Sequence, residues 1–154
     1  MATTTVTAIP ERGATPYLCV KDAAAAIRFY VEAFGAVETM RLTEPTSGRI
    51  GHAELRIDDA RVMLAEEYPE MNVLSPMTLG GSPVTLHLYV TDVDTFIARA
   101  VAAGARLVRP VQDQFYGDRA GRVVDPFGHA WVFATHREDV APAELERRFT
   151  ALYR

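Results

Sequence analysis

Apolar and polar positions follow two rhythms along this chain, and the same succession of rhythms occurs twice. Residues 15–21 form a β-rich run. Asp22 then offers a carboxylate suited to the free amides of a first helical turn. Ala26, Ile27, Tyr30, Val31 and Phe34 recur at three- and four-residue spacing, which predicts a helix with one buried face, and Gly35 stands where a left-handed C-terminal residue is wanted. Three strands are expected next, at 36–43, 50–58 and 61–66, the last two joined by the turn-prone Asp58-Asp59-Ala60.

The second copy opens at His87-Leu88-Tyr89-Val90-Thr91-Asp92, the counterpart of Tyr17-Leu18-Cys19-Val20-Lys21-Asp22. Its helix should bury Phe96, Ile97, Ala100 and Val101 and end at Gly104, with strands at 105–111, 119–124 and 130–136. The tight turn Asp125-Pro126-Phe127-Gly128 precedes the last of these. The expected fold class is α+β: two tandem βαβββ modules forming a curved mixed sheet around a concave cleft. Residues 1–13 read as a loose tail, 14–67 as the first module, 68–82 as a linker rich in proline and glycine, and 83–137 as the second module. Residues 138–154 read as a C-terminal helix opened by Pro142, with Leu145, Phe149 and Leu152 on one face. Its apolar stripe should dock on the sheet or on a second subunit.

Composition narrows the function classes. With 154 residues and 49% hydrophobic content the chain can bury a real core, and a net charge of −4 without any basic stripe argues against nucleic acid. No apolar run approaches the ~18 residues of a membrane span. The single cysteine, Cys19, cannot form an internal disulfide, so a reducing, cytoplasmic compartment is expected. A Gly-x-Ser-x-Gly elbow, a His-Glu-x-x-His helix, a phosphate loop and a dinucleotide fingerprint are all missing.

Two βαβββ units, turns through Asp22 and Asp92, Gly-Ala after each helix and Asp125-Pro126-Phe127-Gly128-His129 together resemble the vicinal oxygen chelate superfamily. That superfamily holds glyoxalase I, bleomycin-resistance proteins, fosfomycin-resistance enzymes and extradiol dioxygenases. Tyr68-Pro69-Glu70, Gly80-Gly81-Ser82-Pro83, Tyr116-Gly117-Asp118-Arg119 and Trp131 to His136 resemble its glyoxalase-like, PhnB-like branch. The resemblance implies a small-molecule ligand and a homodimer with composite clefts. It also implies a divalent ion on the concave face, with ligands from the first and last strand of each module. Aligned residue by residue, those ligand positions fall on Thr15, Leu64, Thr85 and Val132, none of them a histidine or carboxylate. No metal or other cofactor is therefore expected in the usual place.

Two readings follow. The first is a metal-free protein binding a small hydrophobic or aromatic molecule, with Thr15, His52, Leu64, Thr85, Tyr89, Tyr116, Asp118, Arg119 and Val132 around the ligand. Tyr116, Asp118 and Arg119 offer an aromatic, a carboxylate and a guanidinium for orienting a polar planar group. The second is a glyoxalase-like lyase, isomerase or dioxygenase-type enzyme. It would use His87 and Glu66 as catalytic groups, or a divalent metal displaced to Glu66, His87 and His136, which share faces with the family's positions. Glu66 and His136 also read simply as the starts of loops. His129 should serve its turn, and Trp131 the core.

Overall fold

The computed structural model describes residues 12–154, so most of the expected N-terminal tail lies outside the described residues. The elements run β1 (Tyr17–Val20), α1 (Ala23–Phe34), β2 (Val37–Thr43), β3 (Ile50–Ile57), β4 (Ala60–Glu66), a 3₁₀ turn at Pro69–Met71 and a short α2 (Pro76–Leu79). Then come β5 (Thr85–Tyr89), α3 (Val93–Ala103), β6 (Arg106–Asp113), β7 (Asp118–Val124), β8 (Ala130–His136) and α4 (Pro142–Ala151). Two four-stranded mixed sheets result, ordered β1-β4-β3-β2 and β5-β8-β7-β6, each with its first strand parallel to its last.

Equivalent signals start and stop the two long helices. Asp22 Oδ1 accepts from Ala25 N at 2.9 Å and Asp92 Oδ1 from Thr95 N at 3.3 Å. Gly35 and Gly104 end the helices at φ 65° and 123°, where a side chain would be strained. The linker is more ordered than its composition suggests. Ser75 caps α2, and Glu67 accepts from Ser75 N at 2.9 Å and from the Thr78 hydroxyl at 2.7 Å.

Each sheet turns one face to the helices and leaves the other open. Leu18, Val20, Ala53, Leu55, Ile57, Val62 and Leu64 line the helix side of the first sheet; Leu86, Val123, Trp131 and Phe133 line that of the second. The modules meet through a filled core at the helix layer. α1 lies against α3. The Tyr30 ring meets those of Phe127 and Trp131, and the Phe34 ring those of Phe96, Trp131 and Phe133. Phe29, absent from the expected face, joins them by packing on Phe127. Val31 and Val101, both expected inside, are 42% and 40% exposed, because the two helices cover one another along a narrower line than their apolar stripes.

A buried carboxylate pins this core. Asp125, 4% exposed, accepts from Phe127 N and His129 N with Oδ1, and from the Tyr30 hydroxyl (2.6 Å) and Trp131 Nε1 (2.9 Å) with Oδ2. Burial and the neighbouring carboxylate push the Tyr30 phenol well above its ordinary value. His129 Nε2–H donates to the Cys19 carbonyl at 2.9 Å, a second tie between the modules.

The C-terminal helix is held by polar contacts and leaves its apolar face bare. Arg148 donates to the Phe115 carbonyl and pairs with Glu138 and Glu144. Phe149 touches Phe115, yet Phe149, Leu152 and Tyr153 remain exposed.

Tyr30→Phe removes one donor from a buried carboxylate and should cost about 1.5–3 kcal/mol in urea unfolding. Asp125→Ala strands four donors and should cost more, about 3–5 kcal/mol. Equal small losses for the two variants would contradict this account of the core.

Candidate functional site

The strand registers decide which candidates face the open side. Tyr17 pairs with Met63, and its counterpart His87 pairs with Val132. Met63, not Leu64, is therefore the structural equivalent of Val132. Leu64 is 0% exposed and points into the core beside Leu18, so it does not reach the open face. The one-residue difference reverses its face, because side chains alternate along a strand. Thr15, Met63, Thr85 and Val132 are then the four positions that correspond to the expected ligand set. A thioether, two hydroxyls and an isopropyl group do not fit a hard or borderline divalent ion that takes imidazole and carboxylate. Among the described residues, no group of three or more His, Cys, Asp or Glu side chains is arranged to hold a metal.

Glu66 and His87 are not brought together. Glu66 stays at the end of β4 and accepts the Ile50 amide at 2.6 Å. His87 lies on the open face of β5 with its ring 5.1 Å from that of Tyr89, but it is exposed and forms no hydrogen bond among the described residues. Among the described residues no hydrogen bond orients it as a catalytic base would need.

The open face of the second sheet carries a different histidine. Asp118, 4% exposed at the start of β7, accepts from the Tyr89 hydroxyl (2.8 Å) and from His136 Nδ1–H (2.8 Å). His136 Nε2–H donates in turn to Asp139 at 2.8 Å. Both ring nitrogens face carboxylates, which calls for a protonated imidazolium, and bonding to Asp118 and then Asp139 raises the His136 pKa above its ordinary value. The hydrogen bond to Asp118 likewise raises that of Tyr89. Asp118 and Arg119, expected to act together, point to opposite faces. Arg119 turns to the helix side and pairs with Asp94 of α3 at 2.7 Å and with Asp113 at 3.2 Å.

Beyond Asp118 the same face forms a shallow hollow of about 120 Å³ lined by Arg109, Gln112, Gln114, Tyr116, Arg122 and Val132. Gly117 makes the Tyr116 corner feasible: its φ is 98°, and a Cβ there would lie 2.2 Å from the Glu138 carbonyl. Gly121 lets α3 approach β7, since a Cβ would meet Ile97 Cδ1 at 2.6 Å. Burial, followed by the Asp118 charge, raises the Tyr116 pKa. Arg122 Nη2 donates to Thr85 Oγ1 at 3.2 Å, while its Nε is buried without a partner, at a cost of about 1–3 kcal/mol. Thr85 in turn lines a larger cavity of about 470 Å³ at the seam of the modules, with Thr15, Arg61 and His87. The hollow and the seam thus adjoin through the Arg122–Thr85 bond.

The first sheet's open face is organised separately. His52 Nε2–H donates to Glu54 at 3.1 Å, its Nδ1 lies 2.6 Å from the Tyr17 hydroxyl, and Arg61 pairs with Glu54 at 2.7 Å. These bonds, led by that to Arg61, lower the Glu54 pKa. Cys19 is half-buried, and burial raises its thiol pKa, which argues against a reactive thiolate.

Arg109 and Arg122 are the site residues that sequence reasoning passed over, and His136, which it offered only as a displaced metal ligand or a loop start, proves to be paired with Asp118. The signal for His136 was present, since it follows Val132 and Ala134 at a period of two. The arginines needed the register of β6 against β7, which is interrupted by shifts between Leu107 and Gln112.

A family model described as the Glyoxalase/Bleomycin resistance protein/Dioxygenase superfamily matches residues 11–133. An uncharacterized protein of Mycobacterium bovis is 47% identical over 139 residues, covering 88% of this chain and 91% of its own. Among solved structures, TioX from Micromonospora sp. ML1 superposes with a TM-score of 0.64 at 28% identity, over 84% of this chain and 100% of its own. A glyoxalase-related enzyme from Fulvimarina pelagi superposes with a TM-score of 0.64 at 26% identity, over 82% and 89%. No described helix is long and apolar enough to cross a membrane.

The His136 ring should titrate above about 6.5 in an NMR pH series, and Asp118→Asn should bring it back toward that value. Because the folded pKa is the raised one, the stabilisation from this pair is complete below pH ~6.5 and disappears as pH rises through the folded value. A His136 pKa at or below 6.5 would contradict the pairing.

Proposed function

The chain belongs to the Glyoxalase/Bleomycin resistance protein/Dioxygenase superfamily, and within it we propose a small-molecule binding protein that works without the divalent metal of the metal-dependent members. The ligand is a molecule with an aromatic or hydrophobic body, held on the open face of the second sheet. The observation that carries this reading is the donor chemistry at Thr15, Met63, Thr85 and Val132, where the sheet keeps the family's geometry with side chains that cannot replace its ligands. Tyr116 and Val132 supply apolar and aromatic surface beside them.

A second copy of the chain completes the site. The hollow of about 120 Å³ is smaller than the ~300–1,000 Å³ of a typical ligand pocket, so an occupant needs a covering surface. Apolar side chains are available for that contact: Met40 and Leu42 on β2, and Phe149, Leu152 and Tyr153 on and after α4, are all exposed. Dimerisation in a cytoplasmic setting is part of this reading.

One arrangement favours a second reading, a metal-free acid–base enzyme. The buried Asp118 orients His136 and receives the Tyr89 proton donor, so a proton could pass between the open face and solvent. In that case His136 takes the role that sequence alone suggested for His87.

Protein purified without chelator should contain well below one equivalent of zinc, nickel, manganese or iron by elemental analysis, and should run as a dimer in light scattering. A stoichiometric metal that is lost in His87→Ala would overturn the metal-free reading, and a monomer would remove the composite site. Turnover that survives chelation but disappears in His136→Ala would favour the enzyme over simple binding.

A further inference from the structure

We propose that the ligand is an organic anion, its carboxylate, sulfonate or phosphate held by Arg109 and Arg122 in the hollow on the second sheet. This rests on the binding reading above and names the chemical class that the face selects. Arg109 and Arg122 are direct cross-strand partners in β6 and β7, and both line the hollow. Like charges placed opposite one another on a sheet destabilise it unless something neutralises them. Among the described residues neither guanidinium meets a carboxylate. Arg122 has only the Thr85 hydroxyl, and its Nε–H is buried without an acceptor. The Asp118 carboxylate on the same face is already engaged by His136 and Tyr89.

The first module makes the contrast. Glu54 pairs with Met63 as Arg122 pairs with Val132, so the two residues occupy equivalent places in the repeat. Glu54 is fully partnered, by Arg61 and His52. At the equivalent place the second module has reversed the charge and supplied no counter-ion. A two-oxygen anion can accept from both guanidiniums at once, which is the geometry arginine favours. Val132 and Tyr116, lining the same hollow, leave the rest of the ligand an apolar and aromatic bed.

The test uses two fluorescent probes with nearly the same aromatic body, anilinonaphthalene sulfonate and its neutral relative phenylnaphthylamine, titrated into the full-length protein. The sulfonate should bind more tightly, by about tenfold or more for one charge-assisted contact, and the advantage should shrink as salt is raised. Arg109→Gln and Arg122→Gln should each collapse the ratio of the two affinities. If Arg122→Gln fails to fold by circular dichroism, Arg109→Gln on the exposed edge strand decides alone. Equal affinities in the unmodified protein, or a preference that persists in the variants, would overturn the anion site while leaving small-molecule binding intact. Failure of both probes to bind would overturn both. Dissociation of the dimer in Arg109→Gln without any change in the ratio would assign the pair to the subunit interface and overturn the proposal.

Discussion

The structure depends on one buried carboxylate. Asp125 sits at the turn before β8 and collects four hydrogen bonds, two from its own turn, one from Trp131 on β8 and one from Tyr30 on the helix of the other module. A charge in that position is tolerated only because every acceptor site is used. The same bonds set the direction of β8 as it leaves the turn and the depth at which α1 enters the shared core. The faces of the sheet follow from that: with Trp131 and Phe133 fixed inward, Val132, Ala134 and His136 must face outward.

Much of the fold was legible in the chain because the repeat reports it twice. Asp22 and Asp92, and Gly35 and Gly104, are short-range signals, and each needs only its neighbours to act. The depth of burial was harder to read. Val31 lies on the apolar stripe of α1, but the stripe is wider than the line along which α3 covers it, and Phe29 is recruited from beside it because Phe127 arrives from the other module. Such contacts depend on chain segments about a hundred residues apart, and local periodicity cannot carry them.

The site was less legible for a related reason. Matching Leu64 to Val132 erred by a single residue, and in a strand that is the difference between core and open face. Asp118 and Arg119 looked like a cluster because they are adjacent, and adjacency in a strand separates them onto opposite faces. His136 read both as the start of an exit loop and as a sharer of Val132's face, and the register puts it on that face, two alternations beyond Val132. What the two halves share is scaffold; what differs between them is charge. Glu54 has its cationic partners, whereas Arg122 has only the Thr85 hydroxyl and no carboxylate among the described residues. This asymmetry distinguishes the two open faces, and the proposed anion site on the second sheet rests on it.

The most direct measurement is a crystal structure grown with anilinonaphthalene sulfonate. The account predicts the naphthalene ring against Val132 and Tyr116, the sulfonate at Arg109 and Arg122, and side chains from a second copy covering the exposed side of the probe. A divalent ion bound through Thr85 and His87, or a probe lodged away from the second sheet, would contradict it.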